Sequence, residues 1–254
     1  MRKFDVNCFA GQWPFHSTRY PDCQHISEAH KTVGIEGGLV TSLQSVFYAD
    51  PLSAAEALSK ELPMGYSQVF AINPLLPAAW ELCEEALEKY RIKGIRLVPT
   101  YHAFSWYDRN TQNVLEFARK HDMPIFITMR LEDHRLDYIA IQQPSPAIEL
   151  SGVLNDLPDV PVILTNIAAG EITHLRGAIL RRKDVFIDIS FFKTPHRALE
   201  DAVKQIGSNH IMFGSAFNRL AVGSSVANMV HADLTKEQKA DIWYNNAARI
   251  FRLM

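Results

Sequence analysis

Eight short apolar segments rich in β-branched residues recur along this chain of 254 residues. They occupy residues 3–9, 36–43, 68–73, 93–99, 124–129, 161–166, 184–190 and 210–215. Most are continuously hydrophobic, as in VFAIN and PVILT. Runs of this kind are typical of strands that are covered on both faces in a parallel sheet. The recurrence therefore favours an architecture built around a buried parallel sheet.

The intervals between these segments have helical periodicity. The clearest is residues 78–90, where apolar side chains form one stripe, and residues 110–121, 147–157, 172–181 and 195–206 fill later intervals. A last helix is predicted over residues 234–253, with Thr235 as its N-cap. Eight alternating strand–helix units predict an α/β fold, a (β/α)₈ TIM barrel. A doubly wound sheet is disfavoured because AGQWPFH, which lacks GxGxxG, follows the first strand. Without a linker or a composition shift, we expect one domain over residues 1–254.

Composition excludes several classes of protein. Twenty-six basic and 28 acidic residues give a net charge of −2, so no basic field is available to bind nucleic acid. The three cysteines, Cys8, Cys23 and Cys83, form no CxxC pair, which predicts neither a disulfide framework nor a thiolate zinc site and fits a reducing cytoplasm. Asp5 and Asn7 interrupt the opening segment, and no later segment is apolar enough for a membrane span. We expect a cytoplasmic protein without membrane partners. The sequence leaves open whether it forms homo-oligomers.

Three fragments carry a resemblance to a known family. FDVNCFAG (residues 4–11) resembles an Asp-x-His-x-His-x-Gly strand, IMFGSAFN (residues 211–218) resembles a Phe-Gly-Ser-Asp-x-Pro strand, and DIWYNNAARIF (residues 241–251) is similar to a closing helix. These motifs belong to the metal-dependent amidohydrolase-related proteins, which include lactonases and decarboxylases. The resemblance implies an amidohydrolase-like TIM barrel with chemistry at the carboxyl ends of the strands.

The departures from the family pattern concern its metal ligands. Asn7 and Phe9 stand where the family places two histidines, and Ala216 stands where it places an aspartate. Phenylalanine and alanine have no donor atom, and an amide oxygen is a weak ligand. The family's later histidines are also absent from ITMRLED and LTNIAAG, at the fifth and sixth strand ends. We therefore predict no cofactor and no catalytic metal.

The strand ends supply the catalytic candidates. His102, after the fourth strand, is either a general base or ligand, or a loop histidine that is merely exposed or capping. Arg130, Glu132, Asp133 and Arg135 follow the fifth strand, where an arginine could clamp an anion beside an acid or base. The alternative is a salt-bridge network that organises the loop. Because these two strands are neighbours, we predict that His102 moves a proton and Arg130 holds negative charge, with Glu132 and Asp133 also catalytic.

Other polar and aromatic residues have weaker signals. Asn7, His16, Tyr101, Asn166 and Arg135 are predicted to bind substrate, although the two asparagines could instead fill space left by lost ligands. Asp188 points into the barrel with a partner or lies at its top. Four aromatic residues wall a pocket or pack the loops themselves: Trp13, Phe15, Phe104 and Trp106.

Two functions remain open from the sequence. The first is a hydrolase or lyase that acts without the usual metal on a small anionic molecule, such as a lactone, a sugar acid or another carboxylate. The second is a non-catalytic descendant that binds a ligand or a partner. A catalyst needs an acid, a base and an anion clamp that converge, whereas a scaffold can leave these groups paired with each other.

Overall fold

The structure is a computed structural model that describes residues 1–15, 17–132, 146–192 and 197–253. Within this part of the chain the strands are β1 (Phe4–Ala10), β2 (Gly37–Ser42), β3 (Tyr66–Gln68), β4 (Phe70–Ala71), β5 (Ile95–Leu97), β6 (Ile125–Thr128), β7 (Val162–Thr165), β8 (Val185–Asp188) and β9 (Ile211–Met212). Each strand pairs in parallel with its neighbour, in the orders β1-β2-β3 and β4-β5-β6-β7-β8-β9.

These strands occupy eight positions around a barrel. β3 and β4 share one position, since β3 pairs with β2 and β4 pairs with β5. The N–H of Val69, between them, donates to the carbonyl of Val40 at 2.9 Å. At the other edge, Val6 N donates to Phe213 O at 3.0 Å and Ala216 N donates to Asn7 O at 2.8 Å. These backbone bonds bring β1 and the β9 segment together without a regular ladder, and the predicted (β/α)₈ fold is confirmed.

The described helices are α1 (Cys23–Thr32), α2 (Gln44–Phe47), α3 (Pro51–Glu61), α4 (Ala79–Tyr90), α5 (Pro99–His102), α6 (Arg109–Lys120), α7 (Ala147–Val153), α8 (Ile172–Arg181), α9 (Ala198–Ile206), α10 (Val222–His231), α11 (Lys236–Ala240) and α12 (Asn246–Phe251). The predicted closing helix is therefore two helices, α11 and α12, joined by a π-helical turn over Asp241–Asn245. Thr235 caps α11 as predicted, because its side chain accepts a hydrogen bond from Gln238 N. None of the helices in the described ranges is long and apolar enough to span a membrane.

The barrel interior has two layers that differ in polarity. Inward-facing residues repeat at every second position of a strand, so successive inward positions belong to successive layers. The layer near the amino-terminal end is apolar and includes Phe126, Ile163 and Phe186. Helix α12 covers this end, where the ring of Phe251 stacks on that of Phe126 with centroids 6.0 Å apart. Two residues further along the same strands, the inward positions are Thr128, Thr165 and Asp188. The polar layer therefore lies towards the carboxyl ends of the strands.

Candidate functional site

The carboxyl-terminal half of the barrel contains a connected group of buried polar side chains, here called the polar layer. They lie on β1, β5, β6, β7 and β8 or directly after β7 and β8, and they are bonded mainly to one another. Its members are Asn7, Arg96, Thr128, Thr165, Asn166, Asp188 and Ser190.

Arg96 places a buried positive charge in the polar layer. Its Nη1 donates to Asn7 Oδ1 at 3.0 Å and to Thr128 Oγ1 at 2.8 Å. Its Nε and Nη2 have no hydrogen-bond partner among the described residues. The guanidinium carbon lies 4.7 Å from the ring centroid of Phe9 and 5.3 Å from that of Phe126, so π faces contribute to holding the cation. Burial lowers the pKa of Arg96 to about 9, opposed by the charge of Asp188, and the group remains a cation near neutral pH.

Asp188, at the end of β8, supplies the negative charge of this layer. Its Oδ1 accepts hydrogen bonds from Asn166 N at 2.9 Å and Ser190 Oγ at 3.0 Å, and its Oδ2 accepts from Asn7 Nδ2 at 2.7 Å. Burial raises the pKa of Asp188 to about 6, although these hydrogen bonds oppose the shift. Gly214 makes room for the carboxylate, since a Cβ there would lie 2.4 Å from Asp188 Oδ2. Of the two locations considered for Asp188, the structure has the one inside the barrel with partners.

Asn7 links the two charged groups. Its amide oxygen accepts from Arg96, and its Nδ2 donates to Asp188 Oδ2 and to Asn166 Oδ1, both at 2.7 Å. Asn166 has a left-handed backbone with φ of 58°, which asparagine tolerates, and its Nδ2 donates to the carbonyl of Arg130. The side-chain oxygens and nitrogens of both asparagines are thus bonded to protein groups.

The polar layer does not fit the divalent metal that the family resemblance implies. Phe9 and Ala216 offer no donor atom, and the amide oxygen of Asn7 is already bonded to Arg96. Thr128 and Thr165, on β6 and β7, bond to each other at 2.9 Å. The side chains at the two family ligand positions, Asn7 and Phe9, contact the positive charge of Arg96, whose repulsion of cations disfavours a metal ion there.

An apolar layer lies above the polar layer. The indole of Trp13 packs edge-on against Phe15, Phe47 and Tyr101, with centroids 5.6, 5.3 and 5.9 Å away. Trp13 Nε1 is buried and has no hydrogen-bond partner among the described residues. Its apolar neighbours in this layer include Phe9, Leu43, Val46, Ala71, Val98, Leu131, Phe191 and Ala216. Trp13 and Phe15 thus lie at the mouth of the barrel.

Phe104 and Trp106 have different surroundings. Their rings pack against each other with centroids 5.0 Å apart, and both belong to the core between the barrel and its helices. These two aromatic residues pack the loop and the helix layer, the second of the two roles considered for them.

His102 is buried at the end of α5. Its Nε2 lies 2.8 Å from the carbonyl oxygen of Val46, and because a carbonyl only accepts, Nε2 bears the proton. Burial lowers the pKa of His102 to about 4, with the Val46 hydrogen bond opposing, so the ring is neutral near pH 7. Its Nδ1 is an acceptor without a hydrogen-bond partner in the described ranges. A neutral imidazole with a free lone pair has the chemical form of a general base.

The charged residues after β6 form ion pairs with other loops. Arg130 donates through Nη1 and Nη2 to both carboxylate oxygens of Glu171, and its Nη1 also donates to the carbonyl of Asn166 at 2.9 Å. Glu132 Oε1 accepts from Arg219 Nη2 at 3.0 Å, and the Arg219 guanidinium lies 4.2 Å from the ring centroid of Trp13. All four charged side chains are largely buried. This pairing corresponds to the salt-bridge alternative for Arg130 and Glu132.

The remaining predicted site residues are Tyr101, Asp133, Arg135 and His16. Tyr101 lies beside Trp13 and Phe47 in the aromatic group. Asp133, Arg135 and His16 lie outside the described residues. His102 bonds to Val46 on α2, which follows β2. Arg130 bonds to Glu171, which follows β7. The two side chains thus make their contacts with different sides of the mouth.

Sequence reasoning missed Arg96, Glu171 and Arg219. Arg96 lies within the apolar run IRLV, and an arginine at a position that should be fully buried is unusual enough to mark it as a candidate. Glu171 ends a 3₁₀ turn before α8 and Arg219 lies in a loop, and no local pattern in the sequence identifies their partners.

The chain was compared with known proteins. The amidohydrolase family model matches residues 27–253. No curated protein sequence matches the chain. Solved structures resemble it along their whole length at low identity. The 5-carboxyvanillate decarboxylase of Sphingomonas paucimobilis is 16% identical, with a TM-score of 0.73 and coverage of 100% of this chain and 99% of that one.

Two further structures have the same fold. The probable 2-pyrone-4,6-dicarboxylic acid hydrolase of Acinetobacter baumannii, solved with citric acid bound, is 10% identical, with a TM-score of 0.75 and full coverage of both chains. The dihydroxybenzoic acid decarboxylase of Polaromonas sp., solved with manganese and an inhibitor, is 16% identical, with a TM-score of 0.74 and coverage of 99% of this chain and 97% of that one. At these identities the structures show a shared fold, and the family model covers most of the sequence, so the chain belongs to the amidohydrolase family.

Proposed function

We propose that this protein is a hydrolase or lyase that acts on a small anionic molecule, such as a lactone, a sugar acid or another carboxylate, without a divalent metal at the barrel mouth. The observation that carries this proposal is the Arg96 guanidinium, a buried cation in contact with Asn7 and Phe9. Asn7 and Phe9 stand at the positions where the family places two histidine metal ligands.

Arg96 has the properties of a fixed electrophilic group. Without a metal, negative charge that develops on a substrate oxygen must be stabilised by a positive charge or by hydrogen-bond donors. Arg96 keeps its charge near neutral pH and has two nitrogens, Nε and Nη2, that bond to no described residue. The apolar layer that contains Phe9 and Trp13 excludes water, which strengthens electrostatic interactions below it.

Proton transfer in this proposal is assigned to His102, as the sequence predicted. Its neutral ring and unbonded Nδ1 suit a general base. The predicted anion clamp, Arg130, has its guanidinium nitrogens bonded to Glu171, so Arg96 is added as a second candidate for that role. Catalytic roles for Glu132 and Asp133 stay predictions.

The test is an activity screen of chelator-treated protein on a panel of lactones and carboxylates, with Arg96→Met, Arg130→Ala and His102→Ala as variants. Under conditions in which circular dichroism shows the variant to be folded, we expect Arg96→Met to lower kcat/KM by about 10²–10³-fold, as for loss of one oxyanion donor. His102→Ala should lower kcat with ligand affinity retained, and Arg130→Ala should weaken binding of anions. Arg119→Ala, at an exposed ion pair on α6, is the matched control and should leave turnover unchanged.

The outcomes separate the parts of this proposal. Turnover that requires added manganese or zinc would contradict metal independence. Full activity of Arg96→Met would remove Arg96 from the mechanism, and full activity of both Arg130→Ala and His102→Ala would remove the two residues predicted from the sequence.

A second candidate function is supported by the pairing of charges at the mouth. Arg130 bonds to Glu171 and Glu132 bonds to Arg219, which a scaffold without catalysis would retain. In that case the protein binds a small anion or a partner and turns nothing over. Calorimetric binding of a carboxylate without any product after long incubation would favour this function over catalysis.

A further inference from the structure

A second cluster of chemically reactive side chains lies outside the barrel interior, between β1 and α1. It consists of Asp5 and Cys8 on β1 and His30 in the last turn of α1. All three side chains are fully buried. Their ligand atoms, a carboxylate oxygen, the thiol sulfur and an imidazole nitrogen, all lie within 4.8 Å of one another.

A register irregularity in β1 creates this grouping. The pairing of β1 with β2 shifts between Asp5 and Cys8, so these two residues do not follow simple strand alternation. Gly38, which pairs with Asp5 on β2, leaves room beside them, because a Cβ there would lie 2.8 Å from the Asp5 carbonyl oxygen and would displace β1. The strand irregularity and the glycine together allow both side chains to face His30.

Two of the three distances between the ligand atoms are close to those around a tetrahedral metal ion. His30 Nε2 lies 3.3 Å from Asp5 Oδ2 and 3.8 Å from Cys8 Sγ. With Zn–N, Zn–O and Zn–S bonds of about 2.0–2.3 Å, the ligand atoms of a tetrahedral zinc ion are separated by about 3.3–3.7 Å. The third pair, Asp5 and Cys8, also lies within 4.8 Å, so the three atoms can converge on one ion.

The hydrogen bonds around the cluster leave its inward-facing atoms available. The other ring nitrogen of His30, Nδ1, lies 2.9 Å from the Tyr66 hydroxyl, the kind of contact that orients a metal-binding imidazole. Asp5 Oδ1 accepts from Asn7 N and Ser215 N, but Asp5 Oδ2 makes no hydrogen bond with a described residue. Near this buried oxygen lie the other two ligand atoms of the cluster, with His30 Nε2 at 3.3 Å, and a cation bound among the three would satisfy it.

We propose that Asp5, Cys8 and His30 form a structural Zn²⁺ site on the outer side of β1, separate from the polar layer. A thiolate, an imidazole and a carboxylate are the donors that zinc accepts in proteins. Because the three side chains are buried, the ion would enter as the chain folds, with release of the Cys8 thiol proton. Its position between a strand and α1 gives it a role in stability and leaves the barrel mouth free of metal.

The test is refolding of the full chain with one molar equivalent of zinc, followed by gel filtration and elemental analysis. Wild-type protein should retain about one equivalent, and Cys8→Ser and His30→Gln should lower zinc affinity at least about tenfold. Cys83→Ser, at a buried cysteine of α4, is the matched control and should retain the ion.

Cobalt provides a readout that does not depend on the stability of the variants. Wild-type protein refolded with Co²⁺ should show a thiolate-to-cobalt charge-transfer band and the visible bands of a tetrahedral ion. Wild-type protein that retains no zinc and gives no such band, or zinc retained undiminished by Cys8→Ser, would overturn the proposal. The first result would leave a proton-linked Asp5–His30 pair, and the second would place the metal elsewhere.

Discussion

The guanidinium of Arg96 and the amide oxygen of Asn7 are joined by a hydrogen bond of 3.0 Å inside the barrel. The same amide, through its nitrogen, donates to Asp188 Oδ2 at 2.7 Å. A cation and a carboxylate, both fully buried, are thus bonded to one neutral residue that can serve both at once. This arrangement explains how two charges are tolerated in a barrel core.

Removal of Arg96 should strongly destabilise the fold. Arg96→Met keeps much of the side-chain volume but removes the donor of Asn7 Oδ1 and Thr128 Oγ1 and the positive charge near Asp188, which we expect to cost about 1–3 kcal/mol. In a double-mutant cycle, Asp188→Asn should reduce this loss, with a coupling of about 1–3 kcal/mol in urea denaturation. The exposed pair Lys89 and Glu85 on α4 is the control, and its coupling should be far smaller because water screens both charges. Additive effects of Arg96→Met and Asp188→Asn would show that the two charges do not interact.

Asp188 should make the protein less stable as pH rises. Its pKa is raised by burial from 3.8 to about 6, so between pH 4 and 6 the folded state holds a proton that the unfolded state has released. The stabilising contribution is complete below about pH 4 and is lost by about pH 6, with a size of about 3 kcal/mol. Comparison of urea unfolding in wild type and Asp188→Asn across this range measures it. Identical pH slopes for the two proteins would contradict the prediction.

His102 should have the opposite effect on pH dependence. Burial lowers its pKa from 6.5 to about 4, so the unfolded state binds a proton first as pH falls. The contribution of the neutral ring to the free energy of unfolding is fully present above about pH 6.5 and is lost as pH falls to about 4. Its size is again about 3 kcal/mol. The variant His102→Gln keeps a donor for the Val46 carbonyl and should remove this contribution, so that the opposing slope of Asp188 remains. Since the slopes of His102 and Asp188 oppose each other, wild-type protein alone would show little net change, and the two variants should deviate in opposite directions.

Gly214 should not accept a side chain. A Cβ at this position would lie 2.4 Å from Asp188 Oδ2 and 3.0 Å from Asn7 Cβ, so Gly214→Ala has to displace the polar layer. We expect a loss of about 1–3 kcal/mol, as for overpacked cores. Gly177→Ala, in the interior of α8 and with only ordinary contacts, is the control and should stabilise the protein by about 0.5–1 kcal/mol through helix propensity. Thermal unfolding of the two variants checks both signs, and equal effects would mean that the space around Gly214 can expand.

Local pattern in the sequence determined the architecture. The apolar runs around Phe126, Ile163 and Phe186 predicted strands because burial on both faces removes polar alternation, and Thr235 predicted a helix start through its cap. The fragments 4–11, 211–218 and 241–251 resembled the amidohydrolase-related proteins, and the family model confirms membership. Each of these signals depends on residues close together in the chain, and each can therefore be found without the fold.

Partnerships between distant residues were decided by the tertiary structure alone. Asn7 meets Asp188 across 181 positions, Arg130 meets Glu171 across 41, and Cys8 meets His30 across 22. The sequence singled out Arg130 by its position at a strand end, but whether a charge is free or paired depends on which loops meet when the barrel closes. The sequence pattern did not identify Arg96 as a site residue, because the run around it is apolar. The contact of Arg96 with Asn7 and Phe9 depends on the inward direction of its side chain. Periodicity encodes which face of an element is buried, whereas the partner of a buried polar group is set by the packing of elements far apart in the chain.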